Sequence, residues 1–220
     1  MVLGIYCSGG FAGVTYELAT ELNELSHRWN EIFFIEDMRD WNNKQIKMMN
    51  FQEFQHQYSV NDAEVVVAAG EPGLRDELFN DVKVAGYKLP NLIHPMTNAK
   101  KIKVIGEGNI VLSFSYISSS EVEIGDNNII MPFSQISHDS VIGSHCVIAS
   151  SACLSGTTIL KDRAYIGTGA KLRESITIGH DAIVGMGAIV VKPVEDESVV
   201  MGMPAREVRK NTGYVFRKKA

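Results

Sequence analysis

From Ile124 onward the chain repeats an apolar position every six residues without a miss: Ile124, Ile130, Ile136, Ile142, Ile148, Leu154, Leu160, Ile166, Leu172, Ile178, Val184 and Val190. Four residues beyond each of the first eleven runs a second series: Asn128, Ser134, Ser140, Cys146, Ala152, Thr158, Ala164, Ala170, Ile176, Ala182 and Ala188. Ten of these are small or short. Ile105, Val111 and Ile117 carry the period toward the N-terminus, joined to Ile124 by one step of seven. Six is neither the period of an amphipathic helix nor that of a half-buried strand. It predicts a solenoid of three short strands per coil, each coil about 18 residues long. The aliphatics point inward, and the small residues let the chain turn the corners.

Residues 1 to about 95 follow a different pattern. Val2–Tyr6 (VLGIY), Glu31–Asp37 (EIFFIED) and Glu64–Gly70 (EVVVAAG) are apolar runs of strand length. Leu18, Leu22 and Leu25 recur at i, i+4 and i+7, a helical face, and Leu74–Val82 reads as a further helix. Strands alternating with helices predict an α/β, Rossmann-like domain with a parallel sheet. Trp41–Tyr58 fits either element, and Pro90 and Pro95 mark the exit. The expected organisation is an α/β domain over residues 1–95, a β-helix over 96–200 and a C-terminal tail over 201–220.

Composition narrows the class. The 220 residues are 45% hydrophobic and 21% charged, a globular balance, and the formal charge of −5 argues against a nucleic-acid binder. No apolar run is long enough to span a bilayer, and the start MVLGIYCSGG lacks the basic region of a secretory signal. Cys7, Cys146 and Cys153 have neither metal spacing nor an even count, so no disulfide framework is expected. A cytoplasmic protein without membrane insertion is the expectation.

Candidate chemistry lies in both halves. His138 stands two positions past the inward Ile136, so it is directed away from the prism core. An imidazole, with an ordinary pKa of about 6.5, can take a proton at neutral pH. Adjacent strand residues face opposite ways, so Asp139 reaches His138 only if the chain bends between them. Gly156 follows His138 by one coil, which places the two about 4.8 Å apart. Ser155-Gly156 reads either as a permissive corner or as a backbone N–H donor toward developing negative charge. In the first half, Ser8, Gly9, Gly10 and Gly13 lie in a turn that follows a strand and opens a helix, an arrangement that offers N–H groups to phosphate. Asp37 closes the next strand, where a carboxylate can meet a ribose or base. Gly70 and Arg75 follow the third strand, and Arg75 reads equally as a pocket residue or a solvated helix residue.

Taken together, GGxxG (Gly9, Gly10, Gly13), FIED, Ile93-His94-Pro95, the six-residue repeat with SHDSVIG (Ser137–Gly143) and GMPAR (Gly202–Arg206) cover nearly the whole chain. They resemble the bacterial sialic-acid O-acetyltransferase and nucleotide-amino-sugar N-acetyltransferase family, hexapeptide acyltransferases with a left-handed parallel β-helix. The resemblance implies transfer of acetyl from acetyl-CoA to the amine of a nucleotide-linked 4-amino-4,6-dideoxy sugar, in homotrimers with sites between subunits and without a metal. It implies His138 as base with Asp139 beside it, and Ser155, Gly156, Gly185, Gly187 and Ala188 along acetyl-CoA. It also implies the α/β turn, Asp37, Gly70 and Arg75 on the sugar nucleotide, with Met131 near the acceptor. Many relatives carry Asn in the place of Met131 and a second His in the place of Val147, differences that bear on the acceptor sugar. O-acetylation of sialic acid or another sugar is the alternative within this class. Outside it stand a non-catalytic nucleotide-binding β-helix protein and a γ-class carbonic anhydrase. Against the latter, His138 and His180 share a phase of the repeat but His145 does not.

Overall fold

The computed structural model describes residues 1–37, 46–98, 102–118 and 121–213. They form two compact units, residues 1–70 with 74–92, and residues 71–73 with 93–220.

In the first unit, β1 (Val2–Tyr6) lies between β2 (Glu31–Ile35) and β4 (Ala63–Val67), with β3 (Met48–Met49) outside β2, and every pair is parallel. All five residues of β1 are buried. Its central Gly4 leaves room for Ile35, whose Cδ1 would stand 2.5 Å from a Cβ placed there. Helix α1 (Gly10–Ser26) buries Ala12, Thr15, Leu18 and Ala19. Of the three leucines expected to form its inner face, Leu18 is buried but Leu25 is 72% exposed. A 17-residue helix runs about 25 Å against about 17 Å for a five-residue strand, so its last turn outruns the sheet. Of the ambiguous stretch, residues 41–45 lie outside the described residues. The remainder forms β3 and α2 (Phe51–Gln57), which Asn50 and Glu53 open as a reciprocal capping box. Helix α3 (Pro72–Val84) follows β4.

The second unit is a parallel β-helix. Two-residue strands from Val104–Ile105 to Ile189–Val190 stack into three parallel sheets. From Glu123 onward the pairing of these strands runs in steps of 18, as in Gln135↔Cys153 and Val141↔Ile159. All twelve aliphatics of the six-residue series are at most 2% exposed and form one core. The second series is buried as well, so these small residues fill the prism rather than turn its corners. The turns are made one residue earlier. Asn127, Phe133, Asp139, His145, Ser151, Thr157, Arg163, Gly169, Ser175, Asp181 and Gly187 all have φ between +54° and +68°. Short polar residues and glycine tolerate this left-handed geometry best, which explains the mix at these positions. His145 and Arg163 are longer polar exceptions and Phe133 an apolar one; the Phe133 ring stacks on that of Phe114, another left-handed residue, at 5.3 Å. Of the expected tail, Ala205–Lys210 is a strand, paired antiparallel with Ser198–Gly202.

Candidate active site

The corner at residue 139 decides the chemistry of its neighbour. Because Asp139 is left-handed (φ +55°), the strand alternation that would point it away from His138 is broken there. Its Oδ2 lies 2.7 Å from His138 Nδ1. That contact favours the tautomer with a proton on Nδ1 and a lone pair on Nε2, the arrangement a general base needs. Both side chains are open to solvent, at 59% and 47% exposure.

Gly156 lies one coil on and is buried beneath the imidazole. A Cβ at this position would fall 2.6 Å from both Cε1 and Nε2 of His138. The strands beneath are cross-linked at the same corner. The Thr157 N–H donates to the His138 carbonyl at 2.9 Å, and the Ser175 N–H donates to the Gly156 carbonyl at 3.0 Å. Ser155 is half-buried on the strand side of this corner. The glycine in this column is visible in the sequence, but the ring that it accommodates is not.

The other residues expected along acetyl-CoA divide. Gly187 is a left-handed corner with open space at its Cβ position. Gly185 is covered by Met201, whose Cγ would stand 2.7 Å from an added Cβ. Ala188 is fully buried in the prism core, as its place in the second series requires, so its side chain packs inward and only its backbone is left for a ligand. Met131 is half-buried, and its carbonyl accepts from the hydroxyls of Ser115 and Ser134 at 3.0 and 2.7 Å.

In the first unit, Gly10 opens α1 behind Gly9, which holds the extended N-cap position without a side-chain cap. Gly10, Gly13 and Gly70 all have open space where a Cβ would sit, so packing does not demand glycine there. Ser8 is buried, and its N–H and hydroxyl both donate to Glu36 Oε2, at 3.0 and 2.6 Å. Asp37 accepts from the Tyr6 hydroxyl and, at 2.8 Å, from the Phe51 N–H, so its carboxylate joins β1, β2 and α2. Burial and the neighbouring Asp37 push the Tyr6 phenol pKa well up, which keeps this donor protonated. Arg75 is fully buried, and its Nη1 donates to the carbonyls of Val67 and Ala69 at 2.8 and 2.9 Å. It is therefore neither a solvated residue nor a surface contact for substrate; it clamps the end of β4. Among the described residues no group of three or more His, Cys, Asp and Glu side chains is placed to hold a metal. No described helix is long and apolar enough to cross a membrane.

Comparison with known proteins places both units. Residues 2–82 match the PglD N-terminal domain, and residues 121–156 match the bacterial transferase hexapeptide (six repeats). The GDP-perosamine N-acetyltransferase of Escherichia coli O157:H7 is 31% identical over 151 residues, 66% of this chain and 67% of that protein. Serine acetyltransferases match over less; the chain spans 36% of the length of the Bacillus pumilus protein. Among solved structures, the acetyltransferase domain of PglB from Neisseria gonorrhoeae, in complex with acetyl coenzyme A, is 27% identical with a TM-score of 0.85. That match covers 94% of this chain and 98% of that one. PerB from Caulobacter crescentus, in complex with CoA and GDP-perosamine, is 25% identical with a TM-score of 0.83, covering 94% and 97%. The α/β unit, the left-handed β-helix and these relatives agree: the chain belongs to the family of nucleotide-amino-sugar N-acetyltransferases.

Proposed function

We propose that this protein transfers the acetyl group of acetyl-CoA to the amine of a nucleotide-linked 4-amino-4,6-dideoxy sugar, for bacterial surface glycan synthesis, with His138 as general base. The observation that carries the proposal is the His138–Asp139 contact of 2.7 Å beside Gly156. Asp139 holds the Nδ1 proton and steadies the positive charge that His138 acquires. Nε2 accepts the proton lost by the amine as its nitrogen bonds to the acetyl carbon. The same proton then passes to the departing thiolate as the carbon–sulfur bond breaks. The Gly156 N–H is assigned to the acetyl oxygen, where a placed donor typically contributes about 10²–10³ in rate. The open turn at Gly10 and Gly13 is assigned to the nucleotide phosphates. The relatives named above support an amine acceptor, and GDP-perosamine among them supports trying GDP alongside UDP and dTDP. A homotrimer, with each acetyl-CoA between two β-helices, completes the proposal; light scattering that reports only monomer would remove it.

The test is thiol release from acetyl-CoA against UDP-, dTDP- and GDP-linked 4-amino sugars and the free sugars. One nucleotide-linked sugar should be acetylated far faster than its free form. His138→Ala should lower kcat by about 10²–10⁴ while the acetyl-CoA KM stays close to wild type. Equal rates on free and nucleotide-linked sugars, or wild-type turnover without His138, would contradict it.

A further inference from the structure

We infer that Gly156 is a positioning residue for His138: the missing side chain at 156 is the seat on which the imidazole lies. The inference rests on the reading of His138 as base. The backbone does not account for this glycine, because Gly156 lacks the positive φ that marks the corner glycines Gly169 and Gly187. The ring does account for it. A Cβ at 156 would stand 2.6 Å from Cε1, 2.6 Å from Nε2 and 3.2 Å from Nδ1. Carbon atoms ordinarily approach to about 3.5–4.0 Å, so one methyl group displaces the Nε2 edge by roughly 1 Å.

The floor of this seat is fixed and the ring is not. The Gly156 carbonyl accepts from the Ser175 N–H at 3.0 Å and from Thr157 Oγ1 at 2.7 Å, which ties it to the coil below. Among the described residues His138 is held at one edge, by Asp139 at Nδ1. An added methyl group therefore pivots the imidazole about that contact and lifts the atom that takes the proton. A misplacement of about 1 Å costs on the order of 10² in rate when the reacting groups must be aligned.

Gly156→Ala separates this role from that of the Gly156 N–H, because alanine keeps the N–H and suits the local backbone. The experiment is a double-mutant cycle of Gly156→Ala with His138→Ala, reading kcat, the acetyl-CoA KM and the melting temperature of all four proteins. In the native background the expected result is a kcat about 30- to 100-fold lower, a loss larger than any change in KM, with the melting temperature near wild type. In the His138→Ala background, where no ring is left to displace, the same methyl group should lower kcat at least about tenfold less than in the native background. The imidazole proton resonances of His138 should also move in Gly156→Ala. Unchanged turnover in the single variant, or an equal loss in both backgrounds, would overturn the seat while leaving the base assignment intact. Wild-type turnover in His138→Ala would instead defeat the base, and the seat with it.

Discussion

Asp139→Asn isolates the charge beside the base. Asparagine tolerates the left-handed φ of +55° as well as aspartate does, so the corner itself is undisturbed. What changes is the field on His138 when it carries the amine proton. Two unit charges at the observed 2.7 Å attract by roughly 1.5 kcal/mol in a water-like dielectric and about four times that at a protein-like value of 20. The exposures of 59% and 47% place this pair near the first limit, and solvent screening lowers the contribution further. About 1–1.5 kcal/mol corresponds to a kcat reduced between five- and fifteenfold, well short of the loss expected for His138→Ala. The assay is thiol release at saturating acetyl-CoA and acceptor, with Asp139→Asn and His138→Ala measured side by side. A loss within twofold would show that the carboxylate does not support the base. A loss above about a hundredfold would show that Asp139 does more than steady an imidazolium.

Gly10→Val should raise the KM for the sugar nucleotide and leave that for acetyl-CoA nearly unchanged; because the position is open, its melting temperature should fall little, and an unaltered acceptor KM would refute phosphate binding at this turn. Burial pushes the Cys146 thiol up to about 12 from 9.0, so thiol reagents should modify Cys7 and Cys153 in the native protein and reach Cys146 only on unfolding. The unfolded thiol releases its proton above 9.0 while the folded one keeps it to about 12, so stability should fall as pH rises between these values. Denaturation midpoints that stay flat across that range would refute this.

The sequence made the β-helix legible because every coil must bury an aliphatic at the same phase, and twelve successive coil faces do. It misplaced the corners because the left-handed positions carry no single residue type: asparagine, phenylalanine, histidine and arginine all occupy them. The pairing of His138 with Asp139 needed that corner, so motif position suggested the contact but only geometry supplied it. Arg75 was ambiguous because an arginine early in a helix looks alike whether its guanidinium meets water or the carbonyls of Val67 and Ala69. Short elements such as Met48–Met49 carry too few residues to show a period at all.

The single step of seven between Ile117 and Ile124 has a consequence for how such a chain can change length. Strands before it pair with the next coil at a separation of 19, as Ile110↔Ile129, and strands after it at 18, as Ile129↔Val147; the final turn closes at 16, as Ile183↔Val199. The extra residue is absorbed between strands, so the aliphatics on either side still point inward. The same insertion inside a two-residue strand would exchange inner and outer faces in that coil. Corners are therefore where this protein can accept single-residue insertions, grafted loops or labels. Coils added or removed at a distance leave the pairing of 138 with 156 untouched, because each coil takes its alignment only from its immediate neighbours.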